Sequence, residues 1–279
     1  MIKKRVQSPS SILCYKQCPR KYYYQYIKKL ATLPNIHQVR GSIAHSVLEQ
    51  FYNLPLPSKE EDYSSYFKTE IQKLLFQYWR QAQSQLDQLN LTSDQKKFYF
   101  EETLLMLLNW VDHFLEQLKK ELSSGLSLTQ AFYKLTPLRE QRYYSAKYFV
   151  QGYIDAIHHL ENEVRIIDYK TNANFEFKDE IKLQLAIYSL LYFEKHGHPP
   201  SKVGIFFLRH KLKLIKVDPE LLALARKEIF LIHQNTRSGD IQDYPQKVSP
   251  LCKWSSGQCD FYDICQPKTN NKKDNKNNK

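Results

Sequence analysis

The chain has 279 residues, of which 42% are hydrophobic and 14% aromatic, enough for one large globular domain or two small ones with a sizeable core. Only seven residues are glycine, and neither a GxGxxG nor a GxxxxGK(S/T) loop occurs, which argues against nucleotide hydrolysis through a phosphate-cradling loop. No run approaches the roughly 18 apolar residues of a membrane span, and the basic start MIKKRVQSPSS lacks the apolar stretch of a signal peptide. These features predict a cytoplasmic protein with no membrane contact.

The composition is basic, with 41 Lys and Arg against 29 Asp and Glu, a net charge of +12 and a pI near 9.3. Such an excess favours polyanionic partners, because each phosphate that a Lys or Arg neutralises releases counterions. A basic surface that serves only solubility would have the same composition, so charge leaves both interpretations open. Five cysteines in a reducing compartment predict metal ligands or buried thiols, not disulfides.

The N-terminal half has helical patterns. A helix capped at about Ser8 is interrupted at Pro19, and a short helix rich in Tyr and Lys follows. Gly41–Tyr52 has apolar residues at helical spacing, which places His45 and Glu49 one turn apart on one face. Two long helical patterns rich in Gln, Glu, Lys and Leu come next and contain no recognisable chemistry. They predict a helical insert at about 54–130, beside the core.

The pattern changes to short strands near residue 131 and returns to helices further on. The predicted strands are Arg139–Val150, Tyr153–His159, Val164–Tyr169, Val203–Arg209 and Lys213–Val217. The predicted helices in this half are Ile181–Lys195 and Glu220–Thr236. A compact cysteine-rich loop, Leu251–Cys265, precedes a low-complexity basic tail at 267–279 that we expect to be disordered. The whole predicts an α/β fold with a mixed central sheet flanked by helices.

The stretch GYIDAIHHLENEVRIIDYKT contains the chemistry. Asp155 lies in one apolar strand, and Asp168 ends the next, two residues before Lys170. Side chains two apart on a strand share a face, and a hairpin would bring Asp155 beside Asp168. Two carboxylates on an apolar framework are costly unless a cation lies between them, and Mg²⁺ prefers such oxygen ligands. The ammonium of Lys170 would orient or deprotonate the attacking water, or hold the charged phosphate.

These residues resemble the PD-(D/E)xK nuclease superfamily, and their context resembles its RecB-like branch. That branch has a GxxxH helix upstream, matched by Gly41 and His45, and a QxxxY helix downstream, matched by Gln184 and Tyr188. A lone D…DxK arises often by chance, whereas these elements in the family's order do not. The resemblance implies a restriction-endonuclease-like core, with residues 1–266 as a single nuclease domain.

The resemblance also implies residue roles. His45, Asp155 and Asp168 resemble the metal-binding set, the backbone carbonyl of Tyr169 would add a ligand, and Lys170 would be the catalytic lysine. Gln184 and Tyr188 would line the active site or contact the DNA strand. Glu49, one turn from His45, would either bind a second metal or hold the imidazole, and we favour the second role. Each residue also has a structural alternative as a packed or surface side chain.

Basic and aromatic residues interleave at Arg20–Tyr24 and again at Arg142–Tyr144. Such mixtures suit the phosphates and stacked bases of a single strand, although the same tyrosines suit a core equally well. Arg209 or Lys211 would add phosphate contacts.

The cysteines form a second set of candidate ligands. RecB-like nucleases found beside CRISPR systems, and those in some bacterial recombination complexes, hold a 4Fe–4S cluster with one N-terminal and three C-terminal cysteines. Cys18 resembles the first and Cys252, Cys259 and Cys265 the others, but six residues separate Cys252 from Cys259 where the family has two. Four thiolates also suit zinc, and four unligated buried thiols remain an alternative. Cys14 is the spare cysteine.

Together these features predict a Mg²⁺- or Mn²⁺-dependent deoxyribonuclease, acting as an exonuclease on single-stranded DNA in repair, recombination or CRISPR-related processing. The chain has no helicase motif, so unwinding would need a helicase, recombination or CRISPR partner protein, or a single-stranded end. The alternatives are a non-catalytic nucleic-acid-binding subunit with the same fold and an RNA-directed nuclease.

Overall fold

The structure is a computed structural model that describes residues 5–32, 35–57, 62–173, 175–254 and 257–266. Contacts between Cα atoms divide the chain into two compact units, Pro34–Arg226 and the paired terminal segments Met1–Leu33 and Lys227–Lys279. The tail predicted to be disordered, 267–279, lies outside the described residues. Within the described ranges, the helices are too short or too polar to cross a bilayer.

The described chain is helical up to Leu135, and the strands begin at Leu138. The α-helices are α1 Pro9–Gln17, α2 Pro19–Tyr22, α3 Ile36–Phe51, α4 Tyr63–Gln81, α5 Gln83–Asp87, α6 Ser93–Ser123, α7 Leu128–Leu135, α8 Asp179–His196, α9 Pro219–Asn235 and α10 Tyr262–Cys265. A π-helix spans Tyr23–Ile27 and a 3₁₀ turn spans Ile241–Asp243. The strands are β1 Leu138–Ser145, β2 Val150–His159, β3 Val164–Lys170, β4 Lys202–Phe207, β5 Leu212–Lys216, β6 Lys253–Trp254 and β7 Gly257–Gln258.

The larger unit is built on one five-stranded sheet in the order β1–β2–β3–β4–β5. Neighbouring strands are antiparallel except β3 and β4, which are parallel and joined through α8. Branched apolar residues fill β2, β3 and β4, because these central strands are covered on both faces. The predicted mixed sheet flanked by helices is confirmed.

Helix α3 begins at Ile36, ahead of the predicted start at Gly41. Asn35 explains the earlier start, because its side chain accepts a hydrogen bond from the Gln38 backbone while the Gln38 side chain accepts one from the Asn35 backbone. This reciprocal cap satisfies two of the free N–H groups at the helix start. The helix is therefore anchored more than two turns before His45.

The predicted helical insert is present as α4–α7, but it shares the main core and does not lie beside it. Phe51 of α3 meets Trp110 of α6 at 4.9 Å between ring centroids, and Phe67 of α4 stacks on Phe132 of α7. The same cluster includes Tyr169 and Phe206 from the sheet, among other residues. The insert therefore covers one face of the sheet and buries it.

In the terminal unit, the aromatic residues near Arg20 form a core. Tyr22 is fully buried and stacks on Tyr244 at 6.1 Å with an 11° angle, while Tyr23 and Tyr24 are also buried. The Arg20 guanidinium donates to the carbonyl of Tyr244. The suggestion that these tyrosines stack on nucleic acid bases is thus wrong, because their faces are occupied by other rings.

Candidate active site

Asp155 and Asp168 lie on the central strands β2 and β3 and face the same side of the sheet. The antiparallel pairing puts Ala156 opposite Ile167, so the next residues of the two strands, Asp155 and Asp168, are opposite each other as well. Both carboxylates are buried, with exposed fractions of 8% and 2%. Two like charges in such surroundings favour a cation between them.

Asp168 is the centre of a group that contains three other predicted site residues. The Gln184 amide donates to Asp168 Oδ1 at 2.8 Å and to the Tyr188 hydroxyl at 3.0 Å. Lys170 Nζ lies 2.8 Å from Asp168 Oδ2. The Lys170 ammonium thus compensates part of the charge of this buried carboxylate. Buried carboxylate oxygens of this kind are suited to bind a cation.

Burial and mutual attraction determine the charge states of Asp168 and Lys170. The pKa of Asp168 is raised to about 6, mainly by burial. The Lys170 ammonium opposes this shift, and the Asp155 carboxylate adds to it. Burial lowers the pKa of Lys170, but the attraction of Asp168 outweighs this effect and leaves the pKa raised. Lys170 is therefore an ammonium ion at neutral pH. Two of its predicted roles, holding a phosphate and orienting a water, use this charged form.

His45 reaches the site from helix α3. Its Nδ1 lies 3.4 Å from Asp155 Oδ2 and 3.9 Å from Glu140 Oε1. Burial lowers the pKa of His45, but its hydrogen bonds to Asp155 and Glu140 raise it more strongly, so the pKa rises to about 10. The carboxylates thus favour positive charge at this point. A metal ion bound there would displace the imidazole proton.

The backbone of Tyr169 contacts both Asp155 and His45. Its N–H donates to Asp155 Oδ2 at 2.8 Å, and its carbonyl oxygen lies 3.1 Å from His45 Nε2. The carbonyl expected as a metal ligand is therefore beside the predicted histidine. The expectation that Glu49 holds the imidazole is not met, since the groups that contact the His45 nitrogens are Asp155, Glu140 and Tyr169.

Glu140 is a site residue that sequence reasoning missed. The register of β1 on β2 places it opposite Asp155, and one ligand atom each from His45, Glu140 and Asp155 lie within 4.8 Å of one another. Its φ of +47° is a left-handed value that is unfavourable for a side chain with a Cβ, and such strain is typical of functional sites. Only the strand register, which the sequence pattern leaves open, would have identified it.

The His45 side of the centre opens to solvent. A shallow surface cavity of about 640 Å³ is lined by His45, Glu49, Glu140 and Tyr153, among others. The Tyr153 ring is 53% exposed, in contrast to the buried tyrosines of the terminal unit. His45 and Glu140 therefore face solvent, with one exposed aromatic ring at the edge of the same cavity.

Arg209, which was expected to contact phosphate, is engaged with the insert instead. Its guanidinium forms a bidentate pair with Glu102 of α6, and its Nε donates to the Thr171 carbonyl at 3.2 Å. Glu102 also binds Arg40 of α3 at 2.6 Å. One carboxylate of the insert thus joins the helix that carries His45 to the end of the strand that carries Lys170.

The four cysteines predicted as cluster ligands line one small cavity of about 40 Å³ in the terminal unit, with Lys21 and Tyr24 among the other residues around it. They are Cys18, Cys252, Cys259 and Cys265. Burial raises the pKa of both Cys259 and Cys265. Cys14 does not line the cavity and is buried, with a pKa raised by burial to about 12. The structure thus separates the four predicted ligands from the spare cysteine.

The long interval between Cys252 and Cys259 forms a hairpin. Strands β6 and β7 pair antiparallel, with Lys253 opposite Gln258, and the Cys259 N–H donates to the Cys252 carbonyl at 3.0 Å. Trp254 lies against Gly257, where a Cβ would approach the indole to 2.9 Å. The pairing of β6 with β7 therefore places the backbones of Cys252 and Cys259 next to each other despite the long interval.

The profile of the PD-(D/E)XK nuclease superfamily matches residues 7–266, so the chain belongs to that superfamily. The chain is similar to the CRISPR-associated exonuclease Cas4 of Francisella tularensis subsp. novicida, with 32% identity over 124 residues, 43% of this chain and 58% of that relative. It therefore spans less than two thirds of that protein's length. A crystal structure of a protein described as a candidate exonuclease from Eubacterium rectale superposes with a TM-score of 0.49 at 9% identity, covering 89% of this chain and 86% of that one.

Proposed function

We propose that this protein is a metal-dependent nuclease that hydrolyses DNA phosphodiester bonds at the centre formed by His45, Asp155, Asp168 and Lys170. The observation that carries the proposal is the convergence of these four side chains, from one helix and two strands, at a site open to solvent. Membership of a nuclease superfamily supports the reaction class. We further propose that residues 1–266 act as one nuclease domain, since the profile includes residues of both compact units.

The donor set fits Mg²⁺ or Mn²⁺. These ions prefer carboxylate and carbonyl oxygens, and Mn²⁺ also accepts an imidazole. The residues that would hold the ion are His45, Glu140, Asp155, Asp168 and the Tyr169 carbonyl. The observation that favours this fit is that one ligand atom each from His45, Glu140 and Asp155 lie within 4.8 Å of one another. When bound, the ion would polarise the scissile phosphate and lower the pKa of the attacking water.

The chain's own groups would act around that ion. The Lys170 ammonium would bind a phosphate oxygen or orient the water, because its charge is maintained by Asp168. Gln184 would keep Asp168 in position through the bond to Oδ1, and Tyr188 would hold that amide in turn. Tyr153, which is exposed at the cavity edge, offers a face on which a base of the substrate would stack.

We propose single-stranded DNA as the substrate and exonuclease action as the mode. The basic composition favours a nucleic acid, and the similarity to a CRISPR-associated exonuclease supports DNA processing in a CRISPR-related, repair or recombination pathway. A helicase, recombination or CRISPR partner protein would supply single-stranded ends in the cytoplasm.

A digestion assay tests the catalytic proposal. Labelled single-stranded DNA, duplex DNA and RNA are incubated with the full-length protein and Mg²⁺ or Mn²⁺, and wild type is compared with Asp168→Asn. We expect the variant to be slower by more than about a hundredfold, because changes outside the metal's own ligands already cost 10–100-fold. Asp112→Asn, an exposed carboxylate of α6 with 56% side-chain exposure, is the matched control and should cleave normally.

Cleavage that is equal in wild type and Asp168→Asn contradicts the assigned centre. Wild-type protein that binds single-stranded DNA but leaves all three substrates intact would be the non-catalytic binding subunit. Cleavage of RNA alone would assign the RNA-directed alternative. Release of mononucleotides from an end, against internal fragments, decides between exonuclease and endonuclease action.

We also propose that Cys18, Cys252, Cys259 and Cys265 hold a 4Fe–4S cluster. The observation that supports it is that these four thiols, and not Cys14, line one cavity. Four thiolates are the usual ligands of such a cluster. The cluster would join the two ends of the chain within the terminal unit.

Anaerobically purified protein tests this assignment. We expect absorbance near 400 nm and about four iron and four sulfide per chain, lost in Cys259→Ser and retained in Cys14→Ser, the matched thiol control. A colourless protein with one zinc ion, or one with no metal, would contradict the cluster.

A further inference from the structure

The surface cavity beside His45 extends along helix α3 towards the start of that helix. Besides the four residues named above, it is lined by His37, Gln38, Gly41, Ser42 and Ser46. His37 precedes His45 by eight residues, which is about 12 Å along a helix axis. The cavity, called the α3 groove below, therefore reaches well beyond the one phosphate that the metal centre would hold.

Gly41 lies between these two histidines on α3 and lines the α3 groove. A glycine inside a helix destabilises the helix relative to an alanine. Packing does not require this glycine, because a Cβ at Gly41 would make only an ordinary contact of 3.7 Å with Oγ1 of Thr171. Thr171 follows Lys170 directly, so this part of the groove borders the end of strand β3. The missing side chain is explained by a ligand that passes close to the helix here.

The end of the α3 groove at His37 has an excess of positive charge. The charged groups that act on His37 are Arg40, Arg209 and Glu102. The two arginines share the single carboxylate of Glu102. One positive charge among these three groups is therefore uncompensated, and it favours an anion such as a phosphate.

Arg40 also fixes the exposed ring of His37 as a hydrogen-bond donor. Its Nη2 lies 3.3 Å from Nδ1 of His37. A guanidinium can only donate, so Nδ1 accepts and the ring proton lies on Nε2. Partial burial, then the charges of Arg40 and Arg209, lower the pKa of His37, so the ring is neutral at physiological pH. Among the described residues nothing accepts from Nε2, and its N–H is available to a ligand.

Gln38 offers a second donor at the same end of the groove. Its Oε1 accepts a hydrogen bond from the Asn35 backbone at 3.1 Å. Its exposed NH₂ group is left to donate to a ligand.

We propose that the α3 groove holds the substrate strand, with a second phosphate of that strand accepting hydrogen bonds from His37 Nε2 and the Gln38 amide. This assignment rests on the proposed nuclease function, because the groove begins at the metal centre. It adds a direction to that function, since the strand passes over Gly41 along α3. The contact at His37 is remote from the reacting phosphate, so it should contribute to affinity for the strand and not to the chemistry.

Fluorescence anisotropy of labelled single-stranded DNA with the full-length protein tests the proposal. A chelator is present, so binding is measured without metal-dependent cleavage. We expect His37→Leu to weaken binding about tenfold, because a hydrogen bond to a charged group is lost. His37→Gln keeps an N–H donor and should recover most of the affinity. His198→Leu, which changes an exposed histidine beyond the end of α8, is the matched control and should bind as wild type does.

Two further measurements separate the groove from the centre. Gly41→Leu places a side chain in the groove and should weaken binding about tenfold or more, with urea unfolding to check that the variant is folded. In the digestion assay with Mg²⁺, His37→Leu should raise KM about tenfold and change kcat less than about twofold.

Three results would overturn the proposal. They are absence of wild-type binding to single-stranded DNA, equal binding by His37→Leu and wild type, and binding by His37→Gln that is as weak as that of His37→Leu. Wild-type protein that binds in this pattern but cleaves no substrate contradicts the proposed nuclease function and leaves the strand site in place, because the anisotropy series does not depend on cleavage.

Discussion

The two candidate ligand sets of this protein are built on different kinds of framework. The carboxylate centre stands on α3, β2 and β3, which are long, buried elements joined by the main core. The thiols of the other set lie at the junction of α1 and α2, beside two-residue strands and at the end of a four-residue helix. The first set is therefore positioned by packing. The second set lies on short elements, which bury little apolar surface by themselves.

The same contrast applies to charge. In the carboxylate centre, Lys170 and His45 already compensate the buried acids. Around the thiols, burial is the main influence on the pKa of Cys259 and Cys265, and it favours the protonated forms. Metal binding must therefore remove protons in both sets, but only the thiol set should lose its structure without its ligand.

The largest expected effect is the loss of local stability in the terminal unit on removal of the proposed cluster. Cys259→Ser or cluster removal should lower the opening free energy by several kcal/mol, given that structural metal sites contribute on the order of 10 kcal/mol to small domains. Hydrogen exchange measures this at the amides of Cys259, Tyr262 and Cys265, which donate to backbone carbonyls. Chelation of Mg²⁺ should leave α3, β2 and β3 protected. Equal deprotection of both units would contradict the comparison.

The next largest expected effect is a loss of global stability when the ion pair between Glu102 and Arg40 is broken. Glu102→Gln removes the shared partner of Arg40, which is only 3% exposed, and should destabilise the protein by about 3 kcal/mol, as for other broken buried pairs. Urea unfolding measures the change. Glu101→Gln, the neighbouring glutamate with an exposed side chain, should cost less than about 0.5 kcal/mol. Similar losses in both variants would show that the arginine pair does not hold the insert.

The third expected effect is a loss of stability at low pH, caused by protonation of His158. Burial holds the pKa of His158 at about 4, below the ordinary value of 6.5. The unfolded chain then binds this proton first, so stability is complete above pH 6.5 and falls as the pH decreases towards 4, by at most about 3 kcal/mol. His158→Asn should flatten this dependence in urea unfolding at several pH values. The exposed neighbour variant His159→Asn should retain it, and an unchanged slope in His158→Asn would contradict the assignment.

The smallest expected effect is on metal affinity and concerns Glu140, the candidate ligand that the β1–β2 register places opposite Asp155. Glu140→Gln should weaken Mn²⁺ binding by about tenfold or more with little change in stability, because it removes a charged candidate ligand and keeps the shape of the side chain. Titration calorimetry measures the affinity, and Glu176→Gln, which has 74% side-chain exposure, is the matched control. If Mn²⁺ binds Glu140→Gln as tightly as wild type, Glu140 is not a ligand.

Much of the candidate centre follows from local sequence pattern. The alternation of a strand places Asp168 and Lys170 on one face, and their atoms do meet at 2.8 Å. The helical spacing of Gln184 and Tyr188 puts them one turn apart, in mutual hydrogen-bond contact. These predictions succeeded because the period of a strand or helix is fixed by the backbone and needs no knowledge of distant residues.

The tertiary structure alone decided the rest. Glu140 lies in the centre because of the register of β1 and its own left-handed φ angle. Arg209 binds Glu102, which lies on a helix more than a hundred residues earlier in the chain. The hairpin between Cys252 and Cys259 restores a proximity that their spacing obscures. The sequence by itself determined the class of fold, the ligand types and the order of the motifs. Which side chains meet depended on strand register and core packing, because these are long-range properties that no local period encodes.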